Sequence, residues 1–226
     1  TLNARSLFVL DDGSQDGQAQ TRGVVQEAAK QGLKVLGNVT VDQSMSLKDL
    51  LRQISQAKPD VLYYNGGYDF AIPLLKRMRR DGDTTLFFGG DALSNDGFRK
   101  EVGAAGAGIY YTSSAAPPLA YSQARDFVSA YKTQFKMEPT SNALLGYDAC
   151  LSLLKAIENL KTNAPQRAIT RPRVLEALRS VEASGLTGTI RFNVQGDRQD
   201  PPVFILTLGN DLGVRISTIA KAGARE

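Results

Sequence analysis

The chain's 226 residues are 42% hydrophobic and 22% charged, with no histidine, one cysteine and a formal net charge of +4. That is enough chain for one large domain or two small ones, and it excludes Ser-His-Asp and Cys-His catalysis, histidine or thiolate zinc sites and an internal disulfide. No apolar run approaches the ~20 residues of a membrane helix, and the scattered basic residues lack the aromatic-studded basic face of a nucleic-acid binder.

Thr1 to Ser6 lead straight into a strand pattern with no secretory signal, as expected of a mature secreted protein or of a piece cut for expression. Ser6-Leu-Phe-Val-Leu10 predicts a strand buried on both faces, stopping at Asp11-Asp12-Gly13. Val24, Val25, Ala28 and Ala29 recur at helical spacing over Gly17 to Gln31, and Gly32 ends the helix. Lys34 to Val41 reads as a strand. Ser46 caps a helix through Ala57 whose stripe is Leu47, Leu50, Leu51 and Ile54. A third strand, Asp60 to Tyr64, stops at Asn65-Gly66-Gly67, and a helix follows from about Asp69 to Arg80. The basic run Lys76 to Arg80 falls at the end of that helix, where cations complement the dipole. Thr85 to Phe88 gives a fourth strand, ending at Gly89-Gly90-Asp91, then a short helix over Asp96 to Val102 and a fifth strand over Gly108 to Thr112.

This alternation, with a period of about 25 residues, predicts right-handed βαβ units and a parallel sheet. Ligands of such sheets bind outside the carboxyl ends of the strands. The residues at that edge are Asp11 to Asp16, Asn65 to Tyr68, Gly89 to Asp91 and Thr112 to Ser114. Past the hinge-like Ala115-Ala-Pro-Pro118 the pattern changes. Tyr121 to Phe135, Ser141 to Leu160 and Arg171 to Val181 predict helices, the last capped by Thr170. Gly188 to Phe192 and Val203 to Leu208 predict strands, with a turn at Gln195-Gly196-Asp197. The three helices have no sheet of their own on which to bury their apolar faces. Cys150, on the middle helix, reads as a small buried side chain.

The strand ends lack both the spaced-glycine dinucleotide fingerprint and the phosphate-loop Gly-Lys-Ser/Thr pair, and their carboxylates repel phosphate. Asp11 and Asp12 read as turn formers, while Asp16 is balanced between capping and ligand contact. Asp91 follows two glycines and precedes a weak helix, which favours holding a cation. Tyr63 and Tyr64 point to opposite faces of the sheet as packing residues. Tyr68, past the glycines, can offer its phenol to a ligand, and Phe70 is balanced between core and pocket wall. No cofactor grip and no nucleophile is present, so an α/β enzyme built on Asp11, Asp16 and Asp91 is the weakest reading.

Several segments, in this order and spacing, resemble the periplasmic substrate-binding proteins of branched-chain amino-acid ABC transporters, which have the type I periplasmic-binding-protein fold. They are Leu7 to Gly17, Lys58 to Gly67, Leu86 to Asp91, Ala104 to Tyr110, Ala143 to Asp148 and Leu186 to Asn193 with Gly196-Asp197. The resemblance implies an α/β fold: a doubly wound parallel-sheet lobe plus helices of a partial second lobe. Residues 1–114 would form the ligand-binding lobe, 115–185 helices of an incomplete N-terminal lobe, and 186–226 a crossover and strands returning to the first. It places the ligand's ammonium on Asp91, with Tyr68, Asn65, Gly66, Gly90 and Asp16 around it. Asp16 stands where relatives often have an aromatic residue, which leaves room for a polar or basic ligand. The implied function is capture of an amino acid or similar small amine-bearing solute for a transporter permease, without a cofactor and without enzymatic turnover. The alternative is a ligand-sensing receptor or regulator of the same fold. The implied location is periplasmic or extracellular, compatible with a lipoprotein anchor on a full-length chain. The carboxylate-gripping groups would lie in the missing lobe. Helices over 121–181, lacking their sheet, would expose apolar residues near Phe127, Ala130, Leu151 and Leu154 and invite self-association.

Overall fold

A computed structural model describes residues 3–42, 44–163 and 166–221. The chain divides into two units, residues 1–113 with 205–218 and residues 114–204 with 219–226.

The first unit follows the expected alternation: β1 (Ser6–Asp11), α1 (Gln15–Lys30), β2 (Lys34–Thr40), α2 (Leu47–Ala57), β3 (Val61–Asn65), α3 (Tyr68–Arg80), β4 (Leu86–Gly89), α4 (Asp96–Val102) and β5 (Tyr110–Ser113). A 3-10 turn at Asp91–Ser94 joins β4 to α4. Helix starts are set by polar caps: the hydroxyl of Ser14 accepts from Gly17 N at 3.0 Å, that of Ser46 from Asp49 N at 3.3 Å, and Asn95 Oδ1 accepts from Gly97 N at 2.7 Å. Because Ser14 does the capping, α1 begins two residues earlier than its apolar spacing predicts.

Strands β1 to β5 are parallel, and the sheet runs β2-β1-β3-β4-β5-β8-β9, where β8 is Pro202–Leu208 and β9 is Val214–Lys221. The first unit contributes 205–208 and 214–218 of those last two strands. β8 lies beside the start of β5 through Gly108 N donating to Leu208 O at 2.8 Å and Thr207 Oγ1 donating to Ile109 O at 2.8 Å. β9 was not expected.

From β1 the chain steps one way to β2 and then the other way to β3, β4 and β5. Right-handed crossovers therefore put α1 on one face and α2, α3 and α4 on the other. On the α1 face, Leu7, Val9 and Ala28 are buried among Val24, Val25, Val35, Val61 and Tyr63. The alternate residues Phe8, Leu10, Leu62, Tyr64 and Phe87 are buried too, as are Leu50 and Ile54 of α2 and Leu74, Leu75 and Met78 of α3. Tyr63 and Tyr64 thus serve opposite faces. Tyr63 stacks in a row with Phe88 and Tyr110, with centroids 6.0 and 6.5 Å apart, while the Tyr64 ring lies 6.0 Å from Phe70 and 6.3 Å from Phe87.

In the second unit, α5 (Arg125–Phe135), α6 (Ser141–Asn163) and α7 (Arg171–Arg179) are joined by a hairpin of β6 (Ala183–Gly185) and β7 (Gly188–Ile190). The hairpin supplies part of the packing surface that the sequence leaves the helices without. Ala156, Val181, Ala183 and Ile190 form a buried cluster with Leu151, Val174, Ala177, Leu178 and Phe192 packed on it. The turn at 195–197 forms as expected, with Asn193 Oδ1 accepting from Gln195 N at 3.0 Å and Asp197 N at 2.8 Å.

Two side chains depart from expectation. Cys150 is exposed, not buried, because the buried stripe of α6 is Leu144, Asp148, Ser152 and Ala156. Two residues at 100° each carry Cys150 to the far side of the helix. Leu151, expected at the surface, packs on the hairpin cluster, whereas Leu154 and Ala130 are exposed and Phe127 is half-buried.

Candidate ligand-binding site

The carboxyl ends of β1, β3 and β4 are tied into one rim. Asp12, just after β1, is the main tie: its Oδ1 accepts from Ser14 N at 3.0 Å and Ser14 Oγ at 2.5 Å, and its Oδ2 reaches across to accept from Gly67 N at 3.1 Å. Burial alone would raise this carboxyl's pKa, but the bonds from Ser14 and Gly67 outweigh it and hold the group below its ordinary value. Asp11 acts beside it as a turn former, Oδ1 accepting from Gly13 N at 2.9 Å.

Asn65 and Gly66 belong to this tie. Asn65, only 5% exposed, donates from Nδ2 to Gly17 O at 3.2 Å, so the end of β3 grips the start of α1. A Cβ on Gly66 would fall 2.6 Å from both Asp12 Cβ and Tyr64 Oη, and one on Gly90 would fall 2.3 Å from Asn65 Oδ1. Only glycine lets these strand ends approach so closely. Gly90 N donates to Tyr64 O at 3.1 Å, which extends the network to β4.

Asp91, Tyr68 and Asp16 stand free on the same rim. Asp91 opens the 3-10 turn after β4, is exposed, and makes no hydrogen bond or ion pair among the described residues. Its charge reaches Tyr111 on β5. Burial pushes that phenol up to about 12, with Arg99 opposing and the charges of Asp96 and Asp91 adding to the shift. Arg99 is committed to Asp96 at 2.8 Å, so it does not neutralise Asp91. Tyr68 begins α3 half-buried, and its hydroxyl makes no hydrogen bond among the described residues; it lies 3.6 Å from where a Cβ on Gly97 would stand, beside the start of α4. Asp16 is exposed in the first turn of α1 and is not the cap, a task Ser14 performs.

The structure therefore joins Asn65, Gly66 and Gly90 by contact and leaves Asp91, Tyr68 and Asp16 on the rim without a side-chain partner among the described residues. Sequence reasoning missed two features. One is the double role of Asp12, whose second oxygen meets a partner 55 residues away. The other is a cavity of about 370 Å³ beside the rim, lined in part by Asp42, Tyr64, Asp69 and Phe70. Among the described residues, no cluster of three acidic or cysteine side chains is placed to hold a metal, and no helix is long and apolar enough to cross a membrane.

The sequence profile of the periplasmic binding protein family matches residues 1–211. No curated protein sequence matches significantly. A leucine-binding protein of Thermotoga maritima superposes with a TM-score of 0.85 at 24% identity, over 96% of this chain and 61% of its own. A branched-chain amino-acid transporter substrate-binding protein of Streptococcus pneumoniae, in complex with isoleucine, gives 0.78 at 19% identity over 98% and 61%. An ABC-transporter solute-binding protein of R. palustris, in complex with benzoate, gives 0.82 at 17% over 99% and 61%. The chain thus spans 61% of the length of each of these structures. Its fold is theirs, an α/β architecture around a mainly parallel sheet. With a profile match over nearly its whole length, the chain belongs to the periplasmic binding protein family, a family of binding proteins and not of enzymes.

Proposed function

We propose that this chain is the larger part of an extracytoplasmic solute-binding protein that captures an amino acid or similar small amine-bearing ligand for an ABC transporter permease, in the periplasm or outside the cell. The observation that carries the reading is the unpaired carboxylate of Asp91 at the end of β4. A fixed anion on a rim where the nearby cation is already paired attracts an ammonium group, more strongly as water is excluded. Tyr68 and Asp16 add polar contacts, and Asn65, Gly66 and Gly90 hold the strand ends that present them. The relatives named for leucine and isoleucine support an amino acid, while the benzoate complex shows that the fold does not itself demand an amine. The acid at position 91 is what selects one here.

Calorimetric titration of the protein with a panel of amino acids, matched against their deaminated analogues, tests this. Amine-bearing members are expected to bind and the analogues not. Asp91→Asn should weaken binding at least tenfold, about 1.4 kcal/mol, with an unchanged melting temperature. Equal binding of a deaminated analogue, or wild-type affinity in the variant, would end the amine reading.

The part of the relatives that the chain does not span would cover the apolar side of α5 and α6 in the whole protein. On this chain Phe135, Tyr147, Leu153 and Leu154 are 45–60% exposed, and Phe127, Tyr131, Phe135 and Tyr147 form a run of ring contacts at 4.5–5.7 Å. An apolar patch of this kind drives association. Sedimentation velocity at rising concentration should show self-association, reversed by Phe135→Glu with Leu154→Glu. A wild-type chain that stays monomeric and binds no apolar dye would contradict it.

A further inference from the structure

The cavity of about 370 Å³ at the carboxyl edge of the first unit contains none of the six residues assigned to the amine site. It opens where Asp12 leaves β1, Val41 and Asp42 leave β2, and Gly67 leads into α3. Those strands flank the point at which the chain reverses its direction across the sheet, with β2 on one side of β1 and β3 on the other. Concave sites in α/β sheets concentrate at such switch points.

Its lining has one sign of charge. Among the described residues, Asp12, Asp42 and Asp69 are the charged ones on it, and no lysine or arginine lines it. Asp42 is held ionised chiefly by the Ser44 hydroxyl, which donates to its Oδ1 at 2.6 Å. The Asp69 side chain has no hydrogen bond or ion pair among the described residues. Pro73, within α3 and on the wall of the cavity, has no N–H to donate to the carbonyl of Asp69 four residues back. The potential is felt by Tyr64, whose phenol is pushed up first by burial and then by the charges of Asp12, Asp69 and Asp11. Val41, Phe70 and Pro73 add an apolar portion to the lining, with the Phe70 ring 6.0 Å from that of Tyr64.

We propose that this cavity is a second binding site, taking a small organic cation that carries an apolar or aromatic portion. Its acidic groups are not placed as a metal-binding cluster, so a bare ion lacks a coordination shell there. A protonated amine attached to a hydrocarbon or ring meets both kinds of lining: carboxylate for the ammonium, Phe70 for the apolar end. The inference does not depend on the amine reading at Asp91, and the test separates the two.

Benzylamine is the probe, with benzyl alcohol as the neutral control and benzoate as the anionic one, titrated into isotope-labelled protein while the amides of Val41, Gly67 and Phe70 are followed by NMR. Benzylamine should shift these amides saturably and the two controls should not. Asp69→Asn, at an exposed position, should weaken the response at least fivefold, Phe70→Leu should weaken it too, and Asp91→Asn should leave it unchanged. The proposal is overturned if no saturable shift occurs, if benzyl alcohol acts as strongly as benzylamine, or if Asp91→Asn abolishes the response while Asp69→Asn does not.

Discussion

Replacing Asp148 by alanine should destabilise the second unit by about 3–5 kcal/mol, since three donors would lose their acceptor at roughly 1–3 kcal/mol for each one left unsatisfied. The side chain is 4% exposed on α6. Its Oδ1 accepts from Leu186 N at 2.6 Å, and its Oδ2 accepts from Thr187 N at 2.9 Å and Thr187 Oγ1 at 2.5 Å. The same hydroxyl oxygen accepts from Arg198 Nη1 at 2.8 Å, while Arg198 Nη2 donates to Thr189 O at 3.0 Å. Alanine would strand two backbone donors in the turn between β6 and β7 and remove the acceptor of the Thr187 hydroxyl, the group through which Arg198 is tied to Asp148. A Cβ on Gly185 would fall 2.5 Å from Asp148 Oδ1, so the hairpin is moulded around this carboxylate. Asp148→Asn keeps an acceptor but turns an amide toward the donors, so its effect should be smaller than that of alanine. Thr187→Val, which removes only the relay hydroxyl, should cost about 1.5–3 kcal/mol, the value of a hydrogen bond to a charged group. Hydrogen exchange checks this by location: amides of α6, α7 and the hairpin should lose protection while those of β1, β3 and β4 keep theirs. An alanine variant as stable as the wild type would show that the network is ornamental.

The same residue explains where sequence reading succeeded and where it stopped. Leu7 to Leu10 with Asp11-Asp12-Gly13, and each later repeat of apolar run and glycine-rich end, announce parallel βα units because both faces of such strands are covered. That made the first unit and its carboxyl rim legible. In α6 the usual signal is inverted: the buried stripe contains Asp148 and Ser152, while Leu153 and Leu154 face outward. Hydrogen-bond partners 38 and 39 residues away decide which side is buried, and no helical period carries that information. Cys150 was misplaced for this reason. The three-residue strands of the hairpin are too short to show alternation. On the rim, Asp91 and Tyr68 could be found by position after a strand, but the tether from Asn65 to Gly17 and the bridge from Asp12 to Gly67 join segments that only the folded chain brings together.

The two phenylalanines at the centre of β4 offer a separate test of the first unit. Phe87→Ala should cost about 3–5 kcal/mol, the range for removing a buried aromatic side chain and leaving a cavity. Phe87 has no exposure at all and lies on the face covered by α2, α3 and α4, its ring 6.3 Å from Tyr64. Its neighbour Phe88 points to the other face, half-buried in the stacked row with Tyr63 and Tyr110. Truncating it removes less buried surface and leaves a gap open to water, so Phe88→Ala should cost no more than about half as much. The consequence reaches beyond stability. β4 ends in Gly89-Gly90-Asp91, and Gly90 is held by the carbonyl of Tyr64, the residue against which Phe87 packs. Loosening Phe87 should therefore raise exchange at Gly90 and broaden signals around Asp91 before the sheet unfolds, whereas loosening Phe88 should not. Chemical denaturation with residue-resolved exchange would measure both. If the two substitutions proved equally costly, or if the larger cost fell on Phe88, then α2, α3 and α4 would not cover the face assigned to them, and the rim that presents Asp91 would lack the support described for it.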